Sequence, residues 1–202
     1  MRFSSLLLAV FFSAASISVH AQSPASAPSP FVPLGGKISL PGIHNAAKVS
    51  DQLYRGAQPS LSSLPELKKL GITTIVDLRA EFQSTTKQER QQAESLGLRF
   101  VRIPVGAFSN PSPAQLATFF SLFRETPPQK IFVHCAFGDD RTGVFIASYR
   151  IAFQHWSADQ ALSEMMAFGY NRFWHPSMTT FIRRLPDRLH SDPVLRNSLD
   201  PF

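Results

Sequence analysis

From Lys48 to Leu189 the chain alternates short β-branched apolar runs with longer stretches whose apolar residues recur three and four positions apart. Lys48 to Gly56 reads as a pair of short strands, and Ile72 to Leu78, Phe100 to Val105 and Ile131 to His134 each read as one buried strand. Helical patterns lie between them. Ser63-Leu64-Pro65-Glu66 has capping-box spacing ahead of a helix that Gly71 can end. Lys87 to Leu96 is polar and helical, and Leu116, Phe119, Phe120 and Phe123 share one face of a helix over 112–124. After a glycine-containing turn, Thr142 to Phe153 is apolar nearly all round, the pattern of a helix buried on most sides. Two further helices follow, over 158–168 through Leu162, Met165 and Met166, and over 177–189 through Met178, Phe181, Ile182, Leu185 and Leu189. Strands separated by helices predict an α/β fold: a single domain with a central, mainly parallel sheet flanked by helices.

The ends depart from this pattern. Arg2 gives a positive start, Leu6 to Ala15 form an apolar run, and Val19-His20-Ala21 has the spacing of a cleavage site, so residues 1–21 read as a signal peptide. The apolar run is shorter than the ~20 residues that span a bilayer comfortably, and no other segment reaches that length. Residues 22–42, with many Pro, Ser and Ala, read as a linker, residues 43–189 as the folded domain and residues 190–202 as a C-terminal tail. The expectation is a secreted or periplasmic protein with no stable membrane insertion after signal cleavage.

Composition adds two constraints. Loss of residues 1–21 removes one of 20 basic residues and none of the 14 acidic ones, leaving a formal charge of +5. Such a charge favours phosphorylated or acidic partners, while the absence of a basic run or of basic residues interleaved with aromatics argues against nucleic acid. Cys135 is the one cysteine. In an exported protein thiols ordinarily pair as disulfides, so an unpaired thiol is either inert in the core or kept for its reactivity.

Its neighbours decide between these. In Ile131-Phe132-Val133-His134-Cys135-Ala136-Phe137-Gly138-Asp139-Asp140-Arg141-Thr142-Gly143, a buried strand leads through a tight loop into the apolar helix. Five residues separate Cys135 from Arg141, enough to wrap a cup whose backbone N–H groups, with the helix N-terminus behind them, cradle a phosphate. Ala136, Phe137, Gly138 and Asp139 line this cup, and Gly138 permits the turn. The same field favours thiolate over thiol at Cys135, and Thr142 is placed to donate its hydroxyl to that thiolate. Arg141 fits as a planar, bidentate clamp on two phosphate oxygens. The thiolate can then attack phosphorus, and water can hydrolyse the thiophosphoryl intermediate. No metal or organic cofactor is required.

His134-Cys135-x5-Arg141-Thr142-Gly143 resembles the signature loop of the protein tyrosine phosphatase superfamily, in its small dual-specificity branch. Leu53-Tyr54-Arg55-Gly56-Ala57-Gln58-Pro59, Val76-Asp77-Leu78-Arg79 and Arg102-Ile103-Pro104-Val105 resemble early strands of its atypical bacterial and plant-fungal members, and the likeness covers roughly residues 47–185. It implies a dual-specificity-phosphatase-like fold and a cysteine-dependent phosphomonoesterase acting on a phosphorylated protein, lipid or small molecule. Many relatives carry a general-acid Asp on the loop after the Pro104-type strand, but Pro104 to Pro113 contains no acid. Asp140 matches instead the Cys-x-x-Gly-x-Asp-Arg variant of myotubularin-like lipid phosphatases and some secreted bacterial tyrosine phosphatases, which implies Asp140 as proton donor alongside Cys135 and Arg141. A plain helix-capping role for Asp139 or Asp140 stands beside that reading. Asp139 also sits where several polyphosphoinositide-cleaving relatives have Lys, which counts against highly phosphorylated inositols.

Other residues take structural readings. His134 is expected to order the loop backbone, and Phe173-Trp174-His175 to lie in the core between two helices, with a place on the pocket rim as the alternative; Arg55 and Asp77 either pair and buttress the loop or stand apart, and the sequence leaves both open. Two other functions compete. A rhodanese-like sulfurtransferase also uses a cysteine at a helix N-terminus, though its usual loop is shorter. A non-catalytic phospho-ligand binding module needs the cup but not the nucleophile and acid.

Overall fold

The computed structural model of the chain describes residues 36–199. The expected signal peptide and most of the linker therefore lie outside the described residues.

Six strands make one sheet in the order β1-β2-β3-β6-β4-β5: β1 Gly36–Lys37, β2 Ala47–Lys48, β3 Leu53–Gly56, β4 Thr74–Arg79, β5 Arg99–Val105 and β6 Ile131–His134. The pairs β3–β6, β6–β4 and β4–β5 are parallel, and the two pairs at the β1 edge are antiparallel. The expected mainly parallel α/β sheet is thus present, with an antiparallel edge. Every residue of β6 is buried, because helices cover both faces of this central strand.

Side chains alternate along it. Phe132 points to the face covered by α1 (Leu64–Lys69) and α2 (Gln83–Ser95), where it meets Leu64, Leu67 and Ala93. Ile131 and Val133 point to the other face, against α3 (Pro113–Ser121), α4 (Asp140–Gln154), α5 (Ala158–Ala167) and α6 (Pro176–Ser191). As its all-round apolar pattern predicts, α4 is the buried helix: its residues Arg141 to Ile151 are all enclosed. At about 1.5–3 kcal/mol for each large apolar side chain removed from water, Val144, Phe145, Ile146 and Ile151 anchor α4, and with it the start of the helix beside Cys135.

Several boundaries differ from the sequence expectations. The Ser63 hydroxyl donates to the Pro41 carbonyl at 2.7 Å and makes no cap bond, while Glu66 pairs with Lys69 at 2.8 Å. Reciprocal capping boxes form instead at Ser112/Gln115 and Ser157/Gln160. Gly36–Lys37, placed in the linker, extend the sheet by pairing with Ala47–Lys48. Residues 190–199, read as tail, are folded: α6 continues to Ser191, Asp192 Oδ1 accepts the Val194 and Leu195 amides, and a last helix α7 (Pro193–Leu199) buries Leu195 completely.

Arg55 and Asp77 do not pair, because β6 lies between their strands. Asp77 binds its own neighbour: Arg79 Nε and Nη2 donate to it at 2.7 and 3.0 Å, and Arg79 Nη2 also reaches Glu89 of α2 at 2.6 Å. Glu89 in turn meets His134 Nε2 at 2.9 Å. All four side chains are fully enclosed, two acids against two bases beneath the Cys135 loop. Burial opposes a charged imidazole, but Glu89, through its charge and hydrogen bond, and Asp77 outweigh it and hold His134 above its ordinary 6.5.

A pH dependence follows. Below about 6.5 His134 is protonated in folded and unfolded chains alike, and its stabilisation is complete. Above 6.5 the unfolded chain releases the proton while the folded chain keeps it, so stability falls as pH rises through the raised folded value. Thermal melts should show this decline on going alkaline from pH 6.5, and His134→Gln combined with Glu89→Gln should flatten it. Glu89→Ala alone leaves Arg79 and His134 without their shared acid and should cost about 3–5 kcal/mol by urea denaturation.

Candidate active site

The loop between β6 and α4 is held with its carbonyls outward. The Ala136 carbonyl accepts the Gln58 amide at 3.2 Å. The Gly138 carbonyl accepts Arg55 Nη2 at 2.5 Å and Asn45 Nδ2 at 3.1 Å. Arg55 is completely enclosed, with its guanidinium 4.0 Å from the centre of the Phe168 ring, and burial lowers its pKa to about 10. With Gly138 turned this way, at φ 76°, its amide points to Cys135 Sγ at 3.3 Å. A Cβ at Gly138 would lie 2.5 Å from Ala57 N and Gly56 C, so the loop also needs glycine there for space.

The sulfur's contact is therefore not the expected one. The Thr142 hydroxyl is buried without a hydrogen-bond partner, and the Gly138 amide takes the role assigned to it. His134 orders the backbone as expected: its Nδ1 lies 3.1 Å from the Cys135 carbonyl.

Arg141 is held by a residue that sequence reasoning missed. Glu81, two residues beyond the end of β4, takes Nη1 at 2.9 Å and Nη2 at 2.8 Å, and the Val105 carbonyl takes Nη1 at 3.2 Å. A guanidinium has five N–H groups. These contacts use both on Nη1 and one on Nη2, leaving Nε–H and the second Nη2–H along one side edge for two oxygens of a bound anion. The hydrogen bond from Arg141 draws the Glu81 carboxyl below its ordinary value.

The two aspartates divide. Asp139 is the cap of α4: its Oδ1 accepts the Asp140 amide at 2.7 Å and its carbonyl accepts the Gly143 amide at 2.7 Å. Asp140 caps nothing. Its Oδ2 lies 3.1 Å from His175 Nε2, and its Oδ1 is buried without a partner. Burial and then the charge of Asp139 raise its pKa above the usual 3.8, against the pull of His175.

A cleft of about 520 Å³ opens over the loop, with Glu81, Phe82, Ala107, Ala136, Phe137 and Arg141 among its walls. Phe82 and Phe137 in its walls are more than half exposed, as are Phe108, Phe173 and Trp174 elsewhere on the surface. Phe173 and Trp174, expected in the core, lie in solvent instead, because the turn before α6 carries them outward. A larger hollow of about 650 Å³ lies between the ends of α4 and α6, bounded by Trp156, His190 and Arg196, away from Cys135 and Arg141. Among the described residues no three His, Cys, Asp or Glu side chains converge as a metal site, and no helix is long and apolar enough to cross a membrane.

Residues 42–177 match the family described as a DSP-PTPase phosphatase fused to NAD+ kinase. The chain is 29% identical over 126 residues to the dual specificity protein phosphatase TpbA of Pseudomonas aeruginosa, covering 62% of this chain and 55% of that protein. It spans about half the length of the curated relatives it matches. A crystal structure of P. aeruginosa TpbA superposes with a TM-score of 0.63 at 25% identity, covering 83% of this chain and 97% of that one. A cysteine-to-serine variant of TpbA in complex with pTyr shares the fold, with a TM-score of 0.64 at 22% identity over 87% of this chain and all of that one.

Glu81 and Gly138 can be tested directly. Glu81→Gln turns one acceptor against Arg141 into a donor and should lower kcat/KM for para-nitrophenyl phosphate about 10–100-fold, the worth of one or two charge-assisted hydrogen bonds, without unfolding the chain. Gly138→Ala should remove most activity while Glu81 and Arg141 stay in place, since the displaced loop no longer points its amide at the sulfur.

Proposed function

Because the chain belongs to the DSP-PTPase phosphatase family, matched along residues 42–177, we propose that it is a cysteine-dependent phosphomonoesterase acting through a thiophosphoryl-Cys135 intermediate. What carries the reading is one loop that joins the buried Cys135 sulfur, the free side edge of Arg141 and an Asp140 carboxyl that caps no helix and faces His175.

The phosphate binds with two oxygens on the Arg141 Nε–H and Nη2–H edge, and its remaining charge meets the loop amides and the α4 N-terminus. Glu81 fixes the far end of the guanidinium, so little reorganisation is needed on binding. Cys135 attacks phosphorus, the ester P–O bond breaks, and Asp140 gives its proton to the leaving oxygen. The Asp140 carboxylate then takes a proton from the water that cleaves the S–P bond. Its raised pKa keeps more of the acid form available near neutrality. Sulfur transfer is not favoured, because the five-residue loop and the Arg141 edge suit a tetrahedral oxyanion.

Aromatic phosphates are the substrates best matched to the cleft. Phe82 and Phe137 stand beside Arg141, flat apolar walls for a phosphotyrosine ring, and the complex of TpbA with pTyr supports this choice. Export also belongs to the proposal: Arg2, the Leu6–Ala15 run and Val19-His20-Ala21 support removal of residues 1–21 and a periplasmic or secreted enzyme.

Purified protein should hydrolyse para-nitrophenyl phosphate and phosphotyrosine peptides, and Cys135→Ser should abolish turnover while retaining substrate binding. Binding without turnover by the wild type would leave only a phospho-ligand module. Asp140→Asn should slow phenyl phosphate, whose phenolate leaves poorly, about 10²-fold or more, and para-nitrophenyl phosphate much less. Asp139→Asn should keep the wild-type ratio and instead lose about 0.5–2 kcal/mol of stability as a cap. Mass spectrometry of the exported protein should find an N-terminus at Gln22.

A further inference from the structure

On the reading that Asp140 is the proton donor, we infer that His175 is its positioning residue, directing Asp140 Oδ2 at the leaving group from the start of α6. His175 Nε2 lies 3.1 Å from Asp140 Oδ2. Oδ1 is enclosed and without a partner, so Oδ2 is the oxygen left to meet a leaving group, and His175 is what fixes it.

The histidine is itself held on its other sides. Its ring stacks on Phe108 with centroids 5.1 Å apart and planes 24° from parallel. Its backbone carbonyl accepts the Tyr170 hydroxyl at 2.7 Å and the Met178 amide at 3.1 Å. Phe108 lies in the Pro104 to Pro113 stretch, which holds no acid. That loop contributes a ring that backs the histidine that aims the acid. The charged groups around Asp140 are Asp139, His175 and Arg141, with the Asn171 amide beside them, and the Asp139 carboxylate is already turned to the Asp140 amide.

His175 acts through timing as well as direction. As Cys135 bonds to phosphorus, the Asp140 O–H bond breaks, the leaving oxygen gains the proton, and negative charge appears on Oδ2, where the Nε2–H donor waits. A contact that strengthens as charge develops lowers the barrier more than it tightens substrate binding. The effect should therefore appear in kcat, and most strongly for poor leaving groups.

Two substitutions separate the donor from the ring. His175→Phe keeps an aromatic surface for Phe108 and removes Nε2, while His175→Gln offers a side-chain amide near the Nε2 position and gives up the stack. His175→Phe should lower kcat for phenyl phosphate about tenfold more than for para-nitrophenyl phosphate, with KM little changed, and His175→Gln should keep the ratio of the two within about threefold of wild type. Equal losses on both substrates, a wild-type ratio in His175→Phe, or the same skew in His175→Gln would each overturn the inference. Should His175→Phe fail to fold, His175→Asn, whose amide is too short to reach Oδ2, replaces it with the same expected skew. Asp140→Asn measured alongside separates the two readings. If it shows no skew, the acid assignment itself fails; if it does and His175→Phe does not, only the role of His175 fails.

Discussion

A single carbonyl, that of Gly138, decides which way the loop faces. Turned inward it would set a partial negative charge beside a sulfur meant to meet phosphate. Turned outward it is caught by Arg55 and Asn45, which leaves the inner side of the loop to backbone donors, the Gly138 amide among them at 3.3 Å from the sulfur. The donor that holds it is a fully enclosed arginine, a costly group to bury, and two of its nitrogens, Nε and Nη1, find no acceptor. The loop is thus kept in its anion-accepting form by an interaction paid for elsewhere, through the core packed around β3, β6 and α4.

The second buried charge arrangement works from the opposite face of the sheet. Asp77, Arg79, Glu89 and His134 balance within themselves, so β6 can carry a charged histidine at its end without leaving a net charge in a dry layer. Its consequence for chemistry is positional. The Cys135 carbonyl faces His134 Nδ1, so the residue that must present a sulfur upward is gripped from below. Cys135 is therefore placed by side chains from β3, α2 and β6 acting together.

Much of this was legible in the sequence, where a local rule was at work. β6 was read to the residue, because IFVH is short, wholly apolar until its histidine and followed by the loop. The burial of α4 followed from its lack of a polar face. The nucleophile and clamp followed from the spacing of Cys135 and Arg141. What escaped depended on distance in the chain. Glu81 lies 60 residues before the arginine it holds, and nothing in its neighbourhood marks it as other than a surface acid. Glu89 sits in a helix so polar that its burial is invisible, since its partners are charges rather than apolar side chains. Whether Arg55 pairs with Asp77 could not be settled along the chain, because strand order, with β6 inserted between β3 and β4, is a property of the whole sheet. Capping boxes failed at Ser63 and succeeded at Ser112 and Ser157, where Gln rather than Glu closes the box. Phe173 and Trp174 were misplaced because composition alone does not say which way a turn carries its rings.

The contrast between the enclosed loop and the exposed aromatic side chains bears on how such an enzyme diversifies. The residues that hold the sulfur, Arg55 and His134 among them, are fully enclosed in the sheet, so changes there cost folding as well as chemistry. Phe82, Phe108, Phe173 and Trp174 stand on turns with most of their surface in solvent, and replacing them disturbs little of the interior. Selection can therefore rewrite which molecule is presented to the loop without reopening how its phosphate is removed.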